Sequence, residues 1–414
     1  MTTIPELTRA FTRIGLLSFG GPAAQIALMH REIVEEKQWV DEEEYLSALS
    51  FCMLLPGPEA MQLATWIGWR KHGTIGGLIA GGLFVLPGAI VVLCLSMIYA
   101  AWGQVPLVAA LFTGVQAAVL AVVIEALLRV SKRALKSQAQ WVIAALAFAA
   151  LFVFATPFPA VILTAGLWGF FTAKPSPSPS SLTAKPWAQS IRAAVIWGAI
   201  WLIPLAAITA FAPPILAEIA QFFSKLALLT FGGAYAVLTW MAQDVVQQKQ
   251  WLTLPQMMDG LGLAETTPGP LILVTEFVGY IAAAKLGIWM GLAGAAITLW
   301  MTFAPCFLWI FAGAPWIAQL THAPRLSGAL KAITAAVVGV IANLSLWFAA
   351  HVLFASITTL NAGPIHMILP DPSSLRLLPT LLAGVCAYLL LRRHWPLPIV
   401  LAISAITTAA VAAF

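Results

Sequence analysis

Residues 18–22 read Ser18-Phe19-Gly20-Gly21-Pro22, and residues 230–233 read Thr230-Phe231-Gly232-Gly233. The two phrases stand 212 positions apart, and their surroundings keep that offset. Lys37-Gln38-Trp39 returns as Lys249-Gln250-Trp251, and Pro56-Gly57-Pro58 returns as Pro268-Gly269-Pro270. Three signatures in one register mark an internal duplication. Each copy interrupts an apolar segment twice with Gly and Pro, and paired interruptions in the two halves of a membrane protein point to a transport site.

Composition places the chain in a membrane. It is 61% hydrophobic and 9% charged over 414 residues, with a mean hydropathy of +0.92, whereas a soluble domain carries about 25% charged residues. Runs such as 75–97 and 107–128 supply the roughly 20 apolar residues that cross a bilayer core of about 30 Å. Seventeen Trp suit the interfacial belts, where an amphipathic ring sits at headgroup depth. The net charge of +5 falls mostly in short loops, so it reports orientation and not a nucleic-acid partner. Cys52, Cys94, Cys306 and Cys386 stand singly in apolar stretches, which argues against disulfides and metal ligation. The first 30 residues carry Glu6, Arg9 and Arg13 and lack an uninterrupted apolar core, so no cleavable signal peptide is expected.

The pattern predicts an all-α polytopic membrane protein built as two inverted-topology repeats with Gly/Pro-broken helices. The first repeat covers 1–172, a linker and one extra span cover 173–211, and the second repeat covers 212–414. In half one the broken segments are 6–34 and 45–69, followed by plain spans at 73–101, 105–129, 139–155 and 158–172. A Pro/Ser/Lys-rich stretch at 173–187 reads as an exposed connection, and a span at 188–211 precedes the second copy. There the plain spans fall at 286–314, 327–350, 375–391 and 396–413.

Loop charges support the inversion. Arg129, Lys132, Arg133 and Lys136 follow the second plain span of half one, whereas the equivalent loop at 351–373 has no Lys or Arg. Residues 155–159 have none, whereas their counterparts include Arg392 and Arg393. Lys and Arg near span ends mark the cytoplasmic side. Five spans separate equivalent points of the two copies, and an odd number turns the second copy over.

A helix broken inside a bilayer exposes backbone groups that protein, water or ligand must satisfy. Pro22, Pro58 and Pro270 each suit the first turn of the helix that follows, where the missing N–H is an orphan in any case. Restarted helices aim free N–H groups and the positive end of the dipole at one locus, and such ends bind anions. The alternative is that Gly-Gly and Pro-Gly-Pro mark only kinks or tight helix packing; four breaks in register across a duplication favour the ligand site. Ser18, Thr230 and Thr267 (with Thr266) offer hydroxyls beside the breaks, and Gln25 and Gln62 offer amides one turn beyond them; each is also an ordinary helix-packing residue type. Glu59, Glu125, Glu265 and Glu276 fall in apolar surroundings, where ionisable residues are costly. Glu59 and Glu265 adjoin the two Pro-Gly-Pro breaks and, with Glu125, are the candidates for proton coupling. Glu276 reads equally well as a helix-end carboxylate reaching interfacial water. No Walker A motif, no His-Glu-x-x-His and no nucleophile–base pair is present, so neither ATP drive, a metal nor a cofactor is expected.

Phe19-Gly20-Gly21-Pro22, then Trp39-Val40, then Cys52-Met53-Leu54-Leu55-Pro56-Gly57-Pro58 with Gln62-Leu63-Ala64 and Gly68, resembles the chromate ion transporter family, and the duplicated length resembles its long, two-domain members. The resemblance implies a multi-pass protein of the bacterial inner membrane that exports chromate and confers resistance. It implies a role for Phe19, Gly20, Gly21, Pro22, Trp39, Pro56, Gly57, Pro58 and Gln62, and in half two for Phe231, Gly232, Gly233, Trp251, Pro268, Gly269 and Pro270. Ala234 stands where half one has Pro22. Expected partners are a small oxyanion (chromate, with sulfate as its analogue), membrane lipids and a second copy in a homodimer, with no nucleic acid. The residues themselves recognise an anion without naming it. Another oxyanion or an organic anion, a channel and a lipid-acting enzyme are the rival readings. The topology is checked by cysteine accessibility: residues introduced at 129–138 and 351–373 are expected on opposite sides of the membrane, with the linker inside and a tag after Phe414 outside. Both loops on one side would refute the inversion.

Overall fold

The computed structural model describes residues 2–19, 21–103, 105–173, 187–231, 234–317, 323–363 and 365–413. Residues 174–186 of the expected linker, and the break residues Gly20, Gly232 and Gly233, lie outside the described residues. The described chain is almost entirely helical. In order come α1 (Ile4–Leu17), α2 (Gly21–His30), α3 (Glu42–Cys52), α4 (Glu59–Trp102), α5 (Pro106–Ala134), α6 (Gln138–Phe152), α7 (Phe158–Thr172), α8 (Trp187–Phe211), α9 (Pro214–Leu229), α10 (Ala234–Gln243), α11 (Leu254–Thr266), α12 (Val274–Ala284), α13 (Ile288–Gly313), α14 (Pro324–Leu353), α15 (Leu377–Leu391) and α16 (Leu397–Ala413). Among the described residues, five helical stretches are long and apolar enough to cross a membrane: α4, α5, α8, Ile288–Trp316 and α14. This is the polytopic all-α class that the composition predicts.

Local sequence fixes the helix ends. Thr3 and Glu6 form a reciprocal capping box at the start of α1, which satisfies two orphan backbone donors. Asp41 accepts the Glu44 amide at 2.7 Å and three glutamates follow in the first turn of α3, where negative charge opposes the helix dipole. Ser137 and Gln140 repeat the capping box on α6.

The chain divides into two compact units. The first comprises Met1–Ala100, Pro175–Val237 and Leu263–Pro324; the second comprises Ala101–Lys174, Leu238–Gly262 and Arg325–Phe414. Each draws on both halves of the sequence.

In the first unit, α4 is two helices. His72 (φ −136°) and Gly73 (φ 59°) leave the helical region, and the chain folds back so that 59–71 lies along 74–102. Small residues make this possible. A Cβ on Gly76 would overlap the Gly68 carbonyl oxygen, and one on Gly81 would overlap the Thr65 hydroxyl. A second hairpin joins α12 to α13 through Gly287 (φ 120°), with Gly279 packed on Gly294 and Thr298. Pro87 and Pro305 lie inside the long arms of the two hairpins. Pro87 removes the N–H that would pair with the Leu83 carbonyl, and Gly15 of α1 packs against that carbonyl. α13 also packs on α8 and α9; Trp300 Nε1 donates to the Ile200 carbonyl at 3.1 Å, and Trp201 Nε1 to Ser224 Oγ at 2.9 Å. At the charged end of this unit, Arg13 pairs with the buried Glu32 at 3.2 Å, His30 Nε2 with Glu42 at 2.6 Å, and Arg70 with Glu44 at 2.5 Å.

In the second unit, α5 packs against α15 and α16 around Ala118, Ala121, Val122, Cys386, Leu390, Val400 and Leu401. Ala134, Leu135 and Ala144 meet Ala335 and Val338 of α14. Here the region expected to be loop, 351–373, holds a β-hairpin: Ile357–Ala362 pairs antiparallel with Ile365–Pro370, Ile357 opposite Pro370 and Ala362 opposite Ile365. The β-branched pairs Ile-Thr-Thr and the turn at Gly363 (φ 60°) account for it, a local signal that the search for long apolar runs passes over.

The hairpin packing gives a direct check. Gly76→Val drives a branched side chain into the Gly68 backbone, whereas nothing lies within 4 Å of a Cβ on Gly82. Overpacking of this kind costs about 1–3 kcal/mol or more. Thermal unfolding of detergent-solubilised protein is expected to show a clearly lowered midpoint for Gly76→Val and an unchanged one for Gly82→Ala.

Candidate functional site

The same backbone geometry occurs twice at the first break. α1 ends at Ser18 (φ −77°, ψ 67°) and α9 ends at Thr230 (φ −80°, ψ 77°). In both, the next amide turns back: Phe19 N–H donates to the Leu17 carbonyl at 2.9 Å, and Phe231 N–H to the Leu229 carbonyl at 3.0 Å. Each helix thereby stops with its last carbonyls turned away from a continuing ladder. The likeness extends downstream. Both α2 and α10 widen into a π-turn, Arg31–Glu36 and Asp244–Gln248. Gln38 (φ 50°) and Gln250 (φ 52°) follow in the left-handed region. Lys37 then lies 5.5 Å from the Trp39 ring centre, and Lys249 lies 5.6 Å from that of Trp251.

The second break meets the first reciprocally. Gly57 N–H donates to the Thr230 carbonyl at 2.7 Å, and Gly269 N–H donates to the Ser18 carbonyl at 2.9 Å. Each Pro-Gly-Pro of one half is thus bonded to the Phe-Gly-Gly start of the other, and all four positions belong to the first compact unit. Only glycine suits the donors: Gly57 has φ 123° and Gly269 φ 90°, where an L side chain is strained. Space is short as well. A Cβ on Gly57 would lie 2.8 Å from Cys306 Sγ, and one on Gly269 would lie 3.3 Å from the Gly88 Cα. The two breaks therefore rest on Pro87-Gly88 and Pro305-Cys306, the interrupted middles of the two long arms.

Two buried amides complete the arrangement. Gln25 Nε2 donates to the Gly269 carbonyl at 2.7 Å and to the Ser18 carbonyl at 3.3 Å, and Gln62 Nε2 donates to the Pro56 carbonyl at 2.7 Å. These carbonyls accept only, so they fix which end of each amide is the nitrogen. Gln25 Oε1 and Gln62 Oε1 are left buried without a partner. The second Pro-Gly-Pro is wholly buried, whereas Pro56 is half-buried.

The predicted hydroxyls face their own helices. Ser18 Oγ donates to the Ile14 carbonyl at 2.6 Å, and Thr230 Oγ1 to that of Leu226 at 2.7 Å. Thr266 Oγ1 donates to the Leu263 carbonyl and Thr267 Oγ1 to the Ala264 carbonyl, at 2.9 and 3.1 Å. The donors left for a ligand are then backbone amides at the restarted helices. Gly21 (φ 78°) opens α2, with Pro22 next, and a Cβ on Gly21 would meet nothing within 4 Å. Glu59 opens α4 directly after Pro58, and the Gln62 amide closes its first turn onto the Pro58 carbonyl at 3.1 Å. The amides of Ala60 and Met61 have no intrahelical acceptor, as at any helix start. The second half differs, because Pro270 leads first into a 3₁₀ turn, Leu271–Leu273, and only then into α12. Without a polar residue after Pro270 to cap the helix, the tighter turn supplies the first bonds.

The carboxylates separate by environment. Glu59 and Glu265 are half-buried beside the two Pro-Gly-Pro breaks. Glu125, in the other compact unit, is half-buried and paired with Arg129 one turn on. Besides the Arg13-paired Glu32, two further acidic residues are buried among the described residues. Asp259 is 3% exposed, and Gln116 Nε2 donates to its Oδ1 at 2.9 Å; its short polar side chain on a helix of mixed polarity gives no warning of burial. Glu276 is 1% exposed, and its place in Leu271-Ile272-Leu273-Val274-Thr275-Glu276-Phe277 was the available signal.

Comparison with known proteins bears on the chemistry. The family model described as chromate transporter matches residues 5–170 and 217–409. A probable chromate transport protein of Synechococcus elongatus is 29% identical over 409 residues, 98% of this chain and 94% of that protein. The chromate transport protein of Pseudomonas aeruginosa is 34% identical over 347 residues, 81% of this chain and 79% of the relative. That of Cupriavidus metallidurans is 29% identical over 347 residues, covering 82% and 81%. No solved structure matches the chain.

Proposed function

The chain belongs to the chromate transporter family, and on that premise we propose that it is a secondary transporter that exports chromate across the bacterial inner membrane and so confers chromate resistance. The observation that carries the reading is the reciprocal pair of hydrogen bonds between the two breaks. It gathers the interruptions of both halves at one locus, with backbone amides at the restarted helices and no Lys or Arg within the break sequences. A tetrahedral dianion suits such a locus. Helix-start amides hold it by dipole and hydrogen bond, and without a buried cation the hold is weak enough to release it.

The membrane potential supplies a direction. A negative interior favours expelling each negative charge by about 2.3 kcal/mol per 100 mV, and chromate carries two. In this reading Ser18, Phe19, Gly20, Gly21, Pro22, Gln25, Pro56, Gly57, Pro58 and Gln62 form one side of the substrate site. Thr230, Phe231, Gly232, Gly233, Thr267, Pro268, Gly269 and Pro270 form the other. Gln25 and Gln62 act by holding the break carbonyls away from the anion, since carbonyl oxygens facing the site would repel it.

The two sides come from two inverted repeats, 1–172 and 212–414, joined by the linker and extra span at 173–211. The reciprocal bonds support this, because a two-fold relation requires that if residue i meets j in the other half, the counterpart of i meets the counterpart of j. The family match on either side of 171–216 and the charge swap between equivalent loops support it as well. Helix α8 leaves much of its apolar surface exposed, Ile191, Val195, Ile203 and Phe211 among it, which suits lipid or a second copy of the chain.

Radiolabelled chromate flux into inverted vesicles tests the substrate, with sulfate as competitor and an imposed potential. Uptake that rises with an inside-positive potential and falls with excess sulfate is expected, and Gly20→Leu and Gly232→Leu are each expected to reduce it at least tenfold. No chromate movement under any condition would refute the substrate. Unimpaired flux in both variants would make the breaks packing features.

A further inference from the structure

Glu276 stands in the third position of α12, seven residues beyond Gly269, inside a helix whose first ten residues are all buried. It is 1% exposed, its Oε2 has no hydrogen-bond partner, and none of the ion pairs among the described residues involves it. The elements around it offer no counter-charge. α13, its antiparallel neighbour, carries no Asp, Glu, Lys, Arg or His, and its one titratable group is Cys306. α9 carries Glu218 and Lys225, both exposed. Tyr280 lies one turn on, and Tyr99 reaches the helix through a ring contact with Phe277, 5.3 Å between centres. Because Gly279 packs on Gly294 and Thr298, Glu276 comes level with the following turn of α13. There the hydroxyl of Thr302 is also buried without a partner.

We infer that Glu276 is the proton carrier of the transport cycle, loaded as the neutral acid when the site is closed and discharged when the site opens to water. The inference rests on the anion-transport reading above, and it replaces neither Glu59 nor Glu265 as neighbours of the breaks. Two opposed influences make the residue fit for the task. Burial without a partner disfavours the charge strongly, so the closed conformation holds the proton. Placement in the first turn of a helix favours the charge, so hydration of the site suffices to release it. Glu125 lacks this property because Arg129 neutralises it in place, and Glu59 and Glu265 are half-open to their surroundings. The counterpart of Glu276 in the first half is Ala64, so the two halves would bind one anion between them and one proton on one side only. Intramembrane carboxylates are rare and costly, and proton relays are among the functions they mark.

Two measurements on the full-length protein test this. In proteoliposomes, chromate flux is followed under a pH gradient alone and under a potential alone. Wild-type flux is expected to respond to both, whereas in Glu276→Gln, an isostere of the neutral acid, the ratio of pH-driven to potential-driven flux falls at least tenfold. A wild-type flux indifferent to pH gradients, or a variant that responds as the wild type does, overturns the proposal. Absence of any wild-type chromate flux refutes the transport reading instead, so the two failures are distinct. The second measurement does not depend on the variant's folding. Dicyclohexylcarbodiimide, which modifies protonated carboxyl groups in apolar surroundings, is expected to label the peptide containing Glu276 in wild-type membranes at neutral pH, as read by mass spectrometry. An unlabelled Glu276 beside a labelled Glu59 or Glu265 overturns the assignment.

Discussion

Everything at the centre of the first compact unit depends on one exchange: the Gly57 amide bonded to the Thr230 carbonyl, and the Gly269 amide bonded to the Ser18 carbonyl. Stopping a helix within an apolar interior strands its terminal backbone groups, each at a cost of several kcal/mol in hydrocarbon. Here each half strands a carbonyl at the end of one helix and an amide at a Pro-Gly-Pro turn. Neither half satisfies these groups with its own partner, the Gly57 amide meeting Thr230 and the Gly269 amide meeting Ser18. Crossing over satisfies both at once. The requirement that a glycine donate from a positive φ, and that the arms of the hairpins present Gly88 and Cys306 beneath, then follows from how closely the backbones approach.

That exchange also decides the electrostatic character of the site. The side-chain hydroxyls near the breaks are committed to the carbonyls of their own helices, and the amide groups of Gln25 and Gln62 to the carbonyls of the breaks. The donors that remain beside the breaks are backbone amides, with the side-chain oxygens of Gln25 and Gln62 left as unpartnered acceptors; in the reading proposed above, those amides hold the anion without a titrating cation. Such a site discriminates by charge and shape. The asymmetry between the halves lies in how the second helix restarts, directly at Glu59 in one and through a 3₁₀ turn in the other, and in the buried acid Glu276, which stands where the first half has Ala64.

Much of the architecture is legible in the residues. The helices fall where apolar runs and breaks place them: the span read at 105–129 is α5, those read at 158–172 and 188–211 are α7 and α8, and the interruption between 69 and 73 is the turn at His72-Gly73. These follow from short-range rules, since Gly, Pro and charge end helices locally. The π-turns before Trp39 and Trp251 and the β-hairpin at 357–370 are not legible in the same way: the first is a local change of hydrogen-bond register within a helix, and the second follows a short β-branched and glycine signal, and hydrophobic periodicity encodes neither. For the site, the offset of 212 shows that Ser18 and Thr230, or Gly57 and Gly269, are equivalent, but not that each meets the counterpart of the other's neighbour. Nor does it reveal where hydroxyl protons point. Glu276 illustrates the limit most clearly. Its sequence setting permits a helix end in water, and only the packing of α12 within the unit removes that alternative.

The measurement that most directly tests the central arrangement is hydrogen–deuterium exchange of the purified protein with and without chromate. If the breaks close on each other and present their helix starts to the anion, peptides spanning 56–62 and 268–274 exchange slowly in the free protein. They slow further on chromate addition, while the β-hairpin at 357–370 does not change. Exchange of both break peptides as fast as exposed loops, or chromate binding that leaves them unaltered, would contradict the account.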